Sequence, residues 1–109
     1  MTTTTPGILG QLKPTANTDT NLFTVAYSNQ AQFNIFICNQ SGSQDQISVA
    51  LVPSGSSETS ISYILYNTPI DGNYAFTLGG LSLNSGDQVR VLSTYGTTSF
   101  TASGLTISS

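Results

Sequence analysis

The chain has 109 residues, enough for one domain, with a formal net charge of −3, two basic residues and no histidine. Phosphate binding needs several cations, and a membrane-surface helix needs basic residues beside an apolar face, so we expect neither nucleic acid nor a membrane as a partner. The absence of histidine removes Ser-His-Asp and Cys-His catalysis and the commonest metal ligand, so we expect no enzyme activity, no metal and no cofactor.

Residues 1–20 are predicted to form an extended N-terminal arm. Prolines and glycines interrupt any sustained helix and make a regular strand doubtful: Pro6, Gly7, Gly10 and Pro14. Ile8, Leu9 and Leu12 are nevertheless apolar for a solvated tail. We therefore weigh two states of the arm, a disordered terminus and a segment docked on the domain or on a neighbouring subunit.

Residues 21–109 are predicted to form a β-sandwich domain of about eight short strands. The strands are expected at residues 21–26, 33–39, 47–52, 60–66, 74–78, 81–83, 89–94 and 99–107. Such closely spaced strands, separated by turn residues and without a credible helix, are typical of an antiparallel β-sandwich, either immunoglobulin-like or jelly-roll. The sequence leaves the strand order open.

The segment 33–39 is predicted to be the central strand of the core. Phe33, Ile35 and Ile37 alternate with Asn34, Phe36 and Cys38, so one face is wholly apolar and the other is half apolar. A short polar connector, residues 40–45, suggests a hairpin with the strand at 47–52. On this pattern the single cysteine is expected to be a small buried hydrophobe.

A shift of the apolar phase within the last predicted strand suggests an irregularity there. Phe100 and Ala102 lie in one phase, whereas Leu105 and Ile107 lie in the other. Gly104 stands between the two pairs, and glycine is common where a strand bulges. A β-bulge is therefore predicted at Gly104.

Tyrosines raise the question of a carbohydrate site, because aromatic faces stack on sugar rings. Tyr63 and Tyr74 are in phase with core positions, and core or half-core packing is the expectation for both. Tyr27 and Tyr95 fall in predicted turns, which makes them the candidates for an exposed ligand face. All the acidic residues also fall in predicted turns or loops, where solubility and turn formation account for them.

Segments spread over nearly the whole chain carry a family resemblance: Pro6-Gly7-Ile8-Leu9-Gly10-Gln11, Ile37-Cys38-Asn39, Ala50-Leu51-Val52-Pro53-Ser54-Gly55, Tyr63-Ile64-Leu65-Tyr66-Asn67-Thr68-Pro69-Ile70 and residues 78–91 (Leu-Gly-Gly-Leu-Ser-Leu-Asn-Ser-Gly-Asp-Gln-Val-Arg-Val). Together they resemble small virion structural proteins of tailed bacteriophages, including phages of cyanobacteria. The resemblance implies a β-sandwich subunit of a phage particle and supplies no catalytic residue.

From this resemblance we expect a capsid decoration or cement protein, which binds the outside of the phage head and stabilises contacts between capsomers. The expected partners are the major capsid protein or other virion proteins and further copies of this chain, with a trimer favoured. The expected location is the virion, assembled in the host cytoplasm. The candidate partner-binding residues lie in the predicted arm: Ile8, Leu9, Leu12 and Lys13.

Two alternative functions stay open at this point. The same module suits a tail, baseplate, neck or fibre component of a phage particle. A carbohydrate-binding or adhesion module, with Tyr27 and Tyr95 as its ligand face, is the other.

Overall fold

The computed structural model describes residues 3–108 as eight strands in two four-stranded antiparallel sheets. The strands are β1 (Thr3–Leu12), β2 (Thr20–Thr24), β3 (Asn29–Asn39), β4 (Asp45–Val52), β5 (Tyr63–Ile70), β6 (Ala75–Leu83), β7 (Gln88–Ser93) and β8 (Thr98–Ser108). One 3-10 turn, Ser60–Ser62, precedes β5. Within residues 3–108 there is no helix of the length and apolarity that a membrane crossing requires.

The strand order is that of a jelly roll. Sheet A has the order β1-β8-β3-β6, and sheet B has the order β2-β7-β4-β5. Every connection except β4–β5 passes from one sheet to the other, so the chain forms two interleaved Greek keys. The predicted antiparallel sandwich is confirmed, and of its two forms the structure has the jelly roll.

The core lies between the two sheets, and β3 lies at its centre as predicted. β3 pairs with β8 on one side and β6 on the other, and it buries Phe33, Ile35 and Ile37. Sheet B closes the core from the opposite side with alternate buried residues such as Ile47 and Val91. The predicted β3–β4 hairpin is wrong, because the two strands belong to different sheets and their apolar faces meet across the core.

Of the two states weighed for the N-terminal segment, residues 3–12 have the one that is docked on the domain. They form the edge strand β1, paired with β8 from Thr3↔Ser108 to Leu12↔Phe100, although a regular strand was doubted there. An edge strand tolerates Pro6, because a proline there need not donate to a ladder. A bulge between Ile8 and Gly10 then turns Leu9 towards the core.

Two further irregularities are placed differently from the prediction. β6 is one strand rather than two, with Gly79 and Gly80 forming a bulge opposite Asn34. Gly104 lies in an unbroken register with β3, so the bulge predicted there is wrong. It instead marks a close approach of two backbones: a Cβ at this position would collide with the Gln32 carbonyl oxygen.

Two predictions of burial are also wrong. Cys38 is exposed on the outer face of sheet A, and Tyr74 is exposed where β6 begins. The expectation for Cys38 assumed that the outer face of its strand would be partly covered, but no second layer covers the outer face of sheet A within residues 3–108. Tyr74 is in phase with Phe76 and Leu78, which pack against the core, but it lies before the first residue of β6, and its side chain is 54% exposed.

Candidate functional site

One end of the sandwich carries a buried polar cluster, here called the Asp45 cluster. Connections between strands of the two sheets converge at this end, at residues 13–19, 40–44, 71–74 and 94–97. The cluster consists of four fully buried polar side chains together with the partly buried Thr97: Asn39, Asp45, Ser93 and Thr98.

Asp45 is the acceptor at the centre of this cluster. Its carboxylate accepts hydrogen bonds from the backbone N–H of Gln46 at 2.8 Å and of Tyr95 at 3.0 Å. It also accepts from the Thr98 hydroxyl at 2.7 Å and from the Ser93 hydroxyl. Burial raises the pKa of Asp45, but these hydrogen bonds outweigh burial and hold the pKa below its ordinary value.

Asn39 joins three loops at the same end. Its side-chain amide donates to the carbonyls of Ser43 at 2.9 Å and Asp71 at 3.2 Å. Its amide oxygen accepts from the N–H of Ser41 at 3.1 Å and from the Thr97 hydroxyl at 3.0 Å. The loops of this end are therefore held in one arrangement by buried hydrogen bonds.

The Asp45 cluster is best explained as a structural support. Every buried side-chain nitrogen or oxygen within residues 3–108 has a hydrogen-bond partner inside the protein, as expected for a cluster that holds loops together. The alternation of residues along two strands could have indicated this buried cluster. Asn39 continues the buried phase of β3, and Asp45 is in phase with Ile47 and Val49 on β4.

A second feature, here called the tyrosine groove, lies where the long β4–β5 loop meets β5. It has a volume of about 530 Å³ and is lined by Glu58, Thr59, Ser60, Tyr63 and Tyr66. The two tyrosine rings pack edge to face, with centroids 4.9 Å apart and planes at 68°. Tyr66 is 65% exposed, so much of its ring is open to solvent.

A chain of polar contacts extends from Glu58 along the tyrosine groove. The Glu58 carboxyl hydrogen-bonds Asp19, and Asp19 forms an ion pair with Arg90 at 3.2 Å. The hydrogen bond to Asp19, burial and the Asp19 charge raise the pKa of Glu58 to about 7, against the Arg90 charge and a hydrogen bond with Tyr63. At neutral pH, Glu58 thus carries a proton in a large fraction of molecules.

The raised pKa of Glu58 predicts that the free energy of unfolding depends on pH, and Glu58→Gln should remove this dependence. The folded chain holds the proton up to about pH 7, whereas an ordinary glutamate releases it near 4.5. The folded state binds more protons between these values, so the free energy of unfolding falls as pH rises through this interval.

Urea unfolding followed by circular dichroism at pH 5 and pH 8 measures this effect. Glu58→Gln should show a smaller difference between the two pH values than the wild type. Asp71→Asn, which alters an exposed carboxyl outside the groove, is the control and should follow the wild type. An undiminished difference in Glu58→Gln would contradict the assignment.

The structure separates the residues that were predicted to contact a partner. Ile8 is 63% exposed on the outer face of sheet A, and Lys13 is exposed just beyond the end of β1. Leu9 and Leu12 are partly buried and pack against the core. Of the set, Ile8 and Lys13 are therefore the side chains accessible to another protein.

Tyr27 and Tyr95 do not form one ligand face. Both are exposed, but Tyr27 lies in the β2–β3 turn and Tyr95 lies in the β7–β8 turn, at opposite ends of the sandwich. The two tyrosines whose rings pack against each other are Tyr63 and Tyr66. Tyr63 is half-buried, in line with the expected core or half-core packing, but nothing in the sequence indicated that its ring also lines a groove.

The outer face of sheet A is uncharged. None of its four strands contains an aspartate, glutamate, lysine or arginine. Phe36 lies near its centre, 47% exposed, and Ile8 lies on the edge strand. Amides and hydroxyls surround them, among them Gln11, whose amide donates to the Thr101 hydroxyl at 3.2 Å.

Comparisons with known proteins agree on the fold. No protein-family model matches the chain, and no curated protein matches it in sequence. A chain of the T13 viral particle of infectious bursal disease virus matches with a TM-score of 0.56 at 10% identity, over 97% of this chain and 30% of that one. The VP2 subviral particle of the same virus gives 0.55 at 11% identity, over 98% of this chain and 32% of that chain.

A third structure, of the Gx strain of that virus, gives a TM-score of 0.52 at 9% identity, over 98% of this chain and 31% of that chain. This chain thus spans about a third of the length of each viral protein. At such low identity the likeness concerns the fold and not a shared site. The protein has an all-β sandwich fold of the kind present in these viral particles.

Proposed function

We propose that the protein is a non-enzymatic virion structural protein, a decoration or cement subunit that binds the outside of a phage head. The observation that carries the proposal is the uncharged outer face of sheet A. Such a face can be buried against another neutral surface without stripping water from ions, which is the costly step in burying polar surfaces. The fold shared with viral particle proteins supports the same role.

The proposed partner is the major capsid protein or another virion protein, contacted by Phe36 and Ile8 on the outer face of sheet A. Lys13, exposed just beyond the end of β1, is proposed as an additional contact outside the uncharged face. Further copies of the chain are proposed to form a homo-oligomer, with a trimer favoured because virion subunits assemble around symmetry axes. Sedimentation velocity of the purified protein tests the oligomer directly. The proposed location is the virion, assembled in the host cytoplasm.

A charge placed on the outer face of sheet A should weaken binding to the particle. Phe36→Asp would bury an unpaired carboxylate in the proposed contact, and we expect a loss of affinity of about ten-fold or more. Co-sedimentation with particles that lack the protein measures this. Ile61→Asp is the matched control, since Ile61 is 93% exposed on the β4–β5 loop, away from sheet A.

Equal binding by both variants would contradict this contact surface. Deleting residues 1–14 is not a substitute experiment, because it removes β1 and is expected to destabilise the sandwich itself.

Cryo-electron microscopy of the intact particle then locates the chain. Density over the head supports a cement role, density confined to the tail or neck favours a tail, baseplate, neck or fibre component, and absence from the particle would overturn the proposal.

A further inference from the structure

We propose that the tyrosine groove binds a neutral saccharide, with the exposed ring of Tyr66 as the stacking surface. This inference is independent of the role of sheet A in particle binding. The groove lies against sheet B, whereas the proposed capsid contact is the outer face of sheet A. One subunit can therefore contact the particle through one sheet and a glycan through the other.

The aromatic part of the groove has the geometry for stacking. Tyr63 packs edge to face against Tyr66 and so supports one side of its ring. A flat, apolar surface with a polar rim suits a pyranose ring, which presents C–H groups on its faces and hydroxyls around its edge. Tyr66 is 65% exposed, as expected for a ring that is available to a ligand.

The polar part of the groove supplies donors and acceptors close to these rings. Glu58, Thr59 and Ser60 line it beside the tyrosines. The hydroxyls of Thr59 and Ser60 can both donate and accept, and the Glu58 carboxyl, whose proton is directed to Asp19, can accept; sugar hydroxyls need both kinds of partner. The volume of about 530 Å³ lies within the usual range for small-molecule sites.

The charge balance favours a neutral ligand over an ionic one. The negative charge of Asp19 is neutralised by Arg90 in an ion pair at 3.2 Å. Among the residues that line the groove, Glu58 is the one with a carboxyl group or a basic side chain. An anionic sugar would lie against the Glu58 carboxyl, with the charge of Asp19 behind it. Arg90 is already paired with Asp19 and hydrogen-bonded to Gln88 at 3.0 Å. A neutral sugar would leave this arrangement intact.

The test uses the full-length protein on an array of neutral and sialylated glycans. It is followed by nuclear magnetic resonance titration with the methyl glycosides of glucose, galactose, mannose and N-acetylglucosamine. We expect binding to neutral glycans and chemical-shift changes at Tyr63, Tyr66 and their neighbours. Tyr66→Ala should lower the affinity by about ten-fold or more, in line with the loss of a stacking partner.

Tyr95→Ala is the matched control, because Tyr95 is also 65% exposed but lies at an end of the sandwich, outside the groove. Glu58→Ala should weaken binding, and Glu58→Gln, which keeps an acceptor for the sugar and a donor for Asp19, should retain most of it. Binding to no neutral saccharide in either assay, equal affinity of Tyr66→Ala and wild type, or selectivity for sialylated glycans would each overturn the proposal. Phe36→Asp should bind saccharides normally, which separates this result from that for particle binding.

Discussion

Asp45→Ala is expected to lower the free energy of unfolding by about 3–5 kcal/mol, because it leaves several buried donors without an acceptor. The donors include the N–H groups of Gln46 and Tyr95 and the hydroxyls of Ser93 and Thr98. A domain of this size has a total stability of about 5–15 kcal/mol, so the variant should lose a large part of its stability. Urea unfolding followed by circular dichroism measures the loss.

Asp71→Ala provides the control for this loss. Asp71 is exposed, and its carboxylate receives one side-chain hydrogen bond, from Gln44 at 3.4 Å. Its removal should change the stability by no more than about 0.5 kcal/mol, as for an ordinary surface substitution. Similar losses in the two variants would show that the Asp45 cluster does not stabilise the fold.

The hydrogen bonds of Asp45 also predict how the stability of the protein changes in acid. Because the pKa of Asp45 is lower in the folded chain than its ordinary value of 3.8, its ionised form contributes stability that is fully present above that value. This contribution is lost as pH falls below 3.8 and through the folded pKa. Asp45→Asn should be less stable at neutral pH and should lose less stability on acidification than the wild type. Parallel acid curves for the two proteins would contradict the assignment.

Gly104→Ala is expected to destabilise the protein by about 2–4 kcal/mol through a steric conflict inside sheet A. A Cβ at position 104 would collide with the carbonyl oxygen of Gln32 and would lie 2.6 Å from the Cα of Phe33. These are backbone atoms of the neighbouring strand, so they cannot rotate away as the end of a flexible side chain can. Relief requires β8 to move away from β3, which would weaken the central pairing of the sheet.

Gly42→Ala is the matched control for this conflict. A Cβ there would meet only the Asn73 side-chain nitrogen, at 3.9 Å, which is an ordinary contact distance. Thermal unfolding of both variants compares a strand glycine with a loop glycine of the same chain. A shift in melting temperature that is no larger for Gly104→Ala would show that the two backbones can separate at little cost.

Alternation of apolar residues predicted much of the core but not the neighbours of each strand. The phase of Phe33, Ile35 and Ile37 fixed which side of β3 is buried, and the structure agrees. Periodicity specifies a face and carries no information about which strand lies alongside. The β3–β4 hairpin was therefore wrong even though both strands were found. β1 was missed because Pro6 is tolerated in an edge strand, and the sequence does not show which strands are edges.

The tyrosine groove was beyond the reach of local patterns for a similar reason. Asp19, Glu58 and Arg90 are distant from one another in sequence. The pairing of β2 with β7 brings Asp19 to Arg90, and the β4–β5 loop then places Glu58 beside Asp19. The Asp45 cluster is different, since both of its central residues continue the buried phase of a strand. A polar residue that alternates with buried apolar residues along one strand can therefore be predicted to be buried more readily than a site built from distant parts of the chain.

The position of β8 has a consequence for how the protein is made. β8 lies between β1 and β3, and β7 lies between β2 and β4, so the middle of each sheet is built from the later part of the chain. While residues 98–108 are still being synthesised, β1 and β3 have no partner between them, and sheet A cannot close. Such distant pairings are slow to form, so sheet A closes only after β8 has become available to both of its neighbours. A chain that stops before β8 lacks the strand that joins β1 to β3 and cannot form sheet A as one surface.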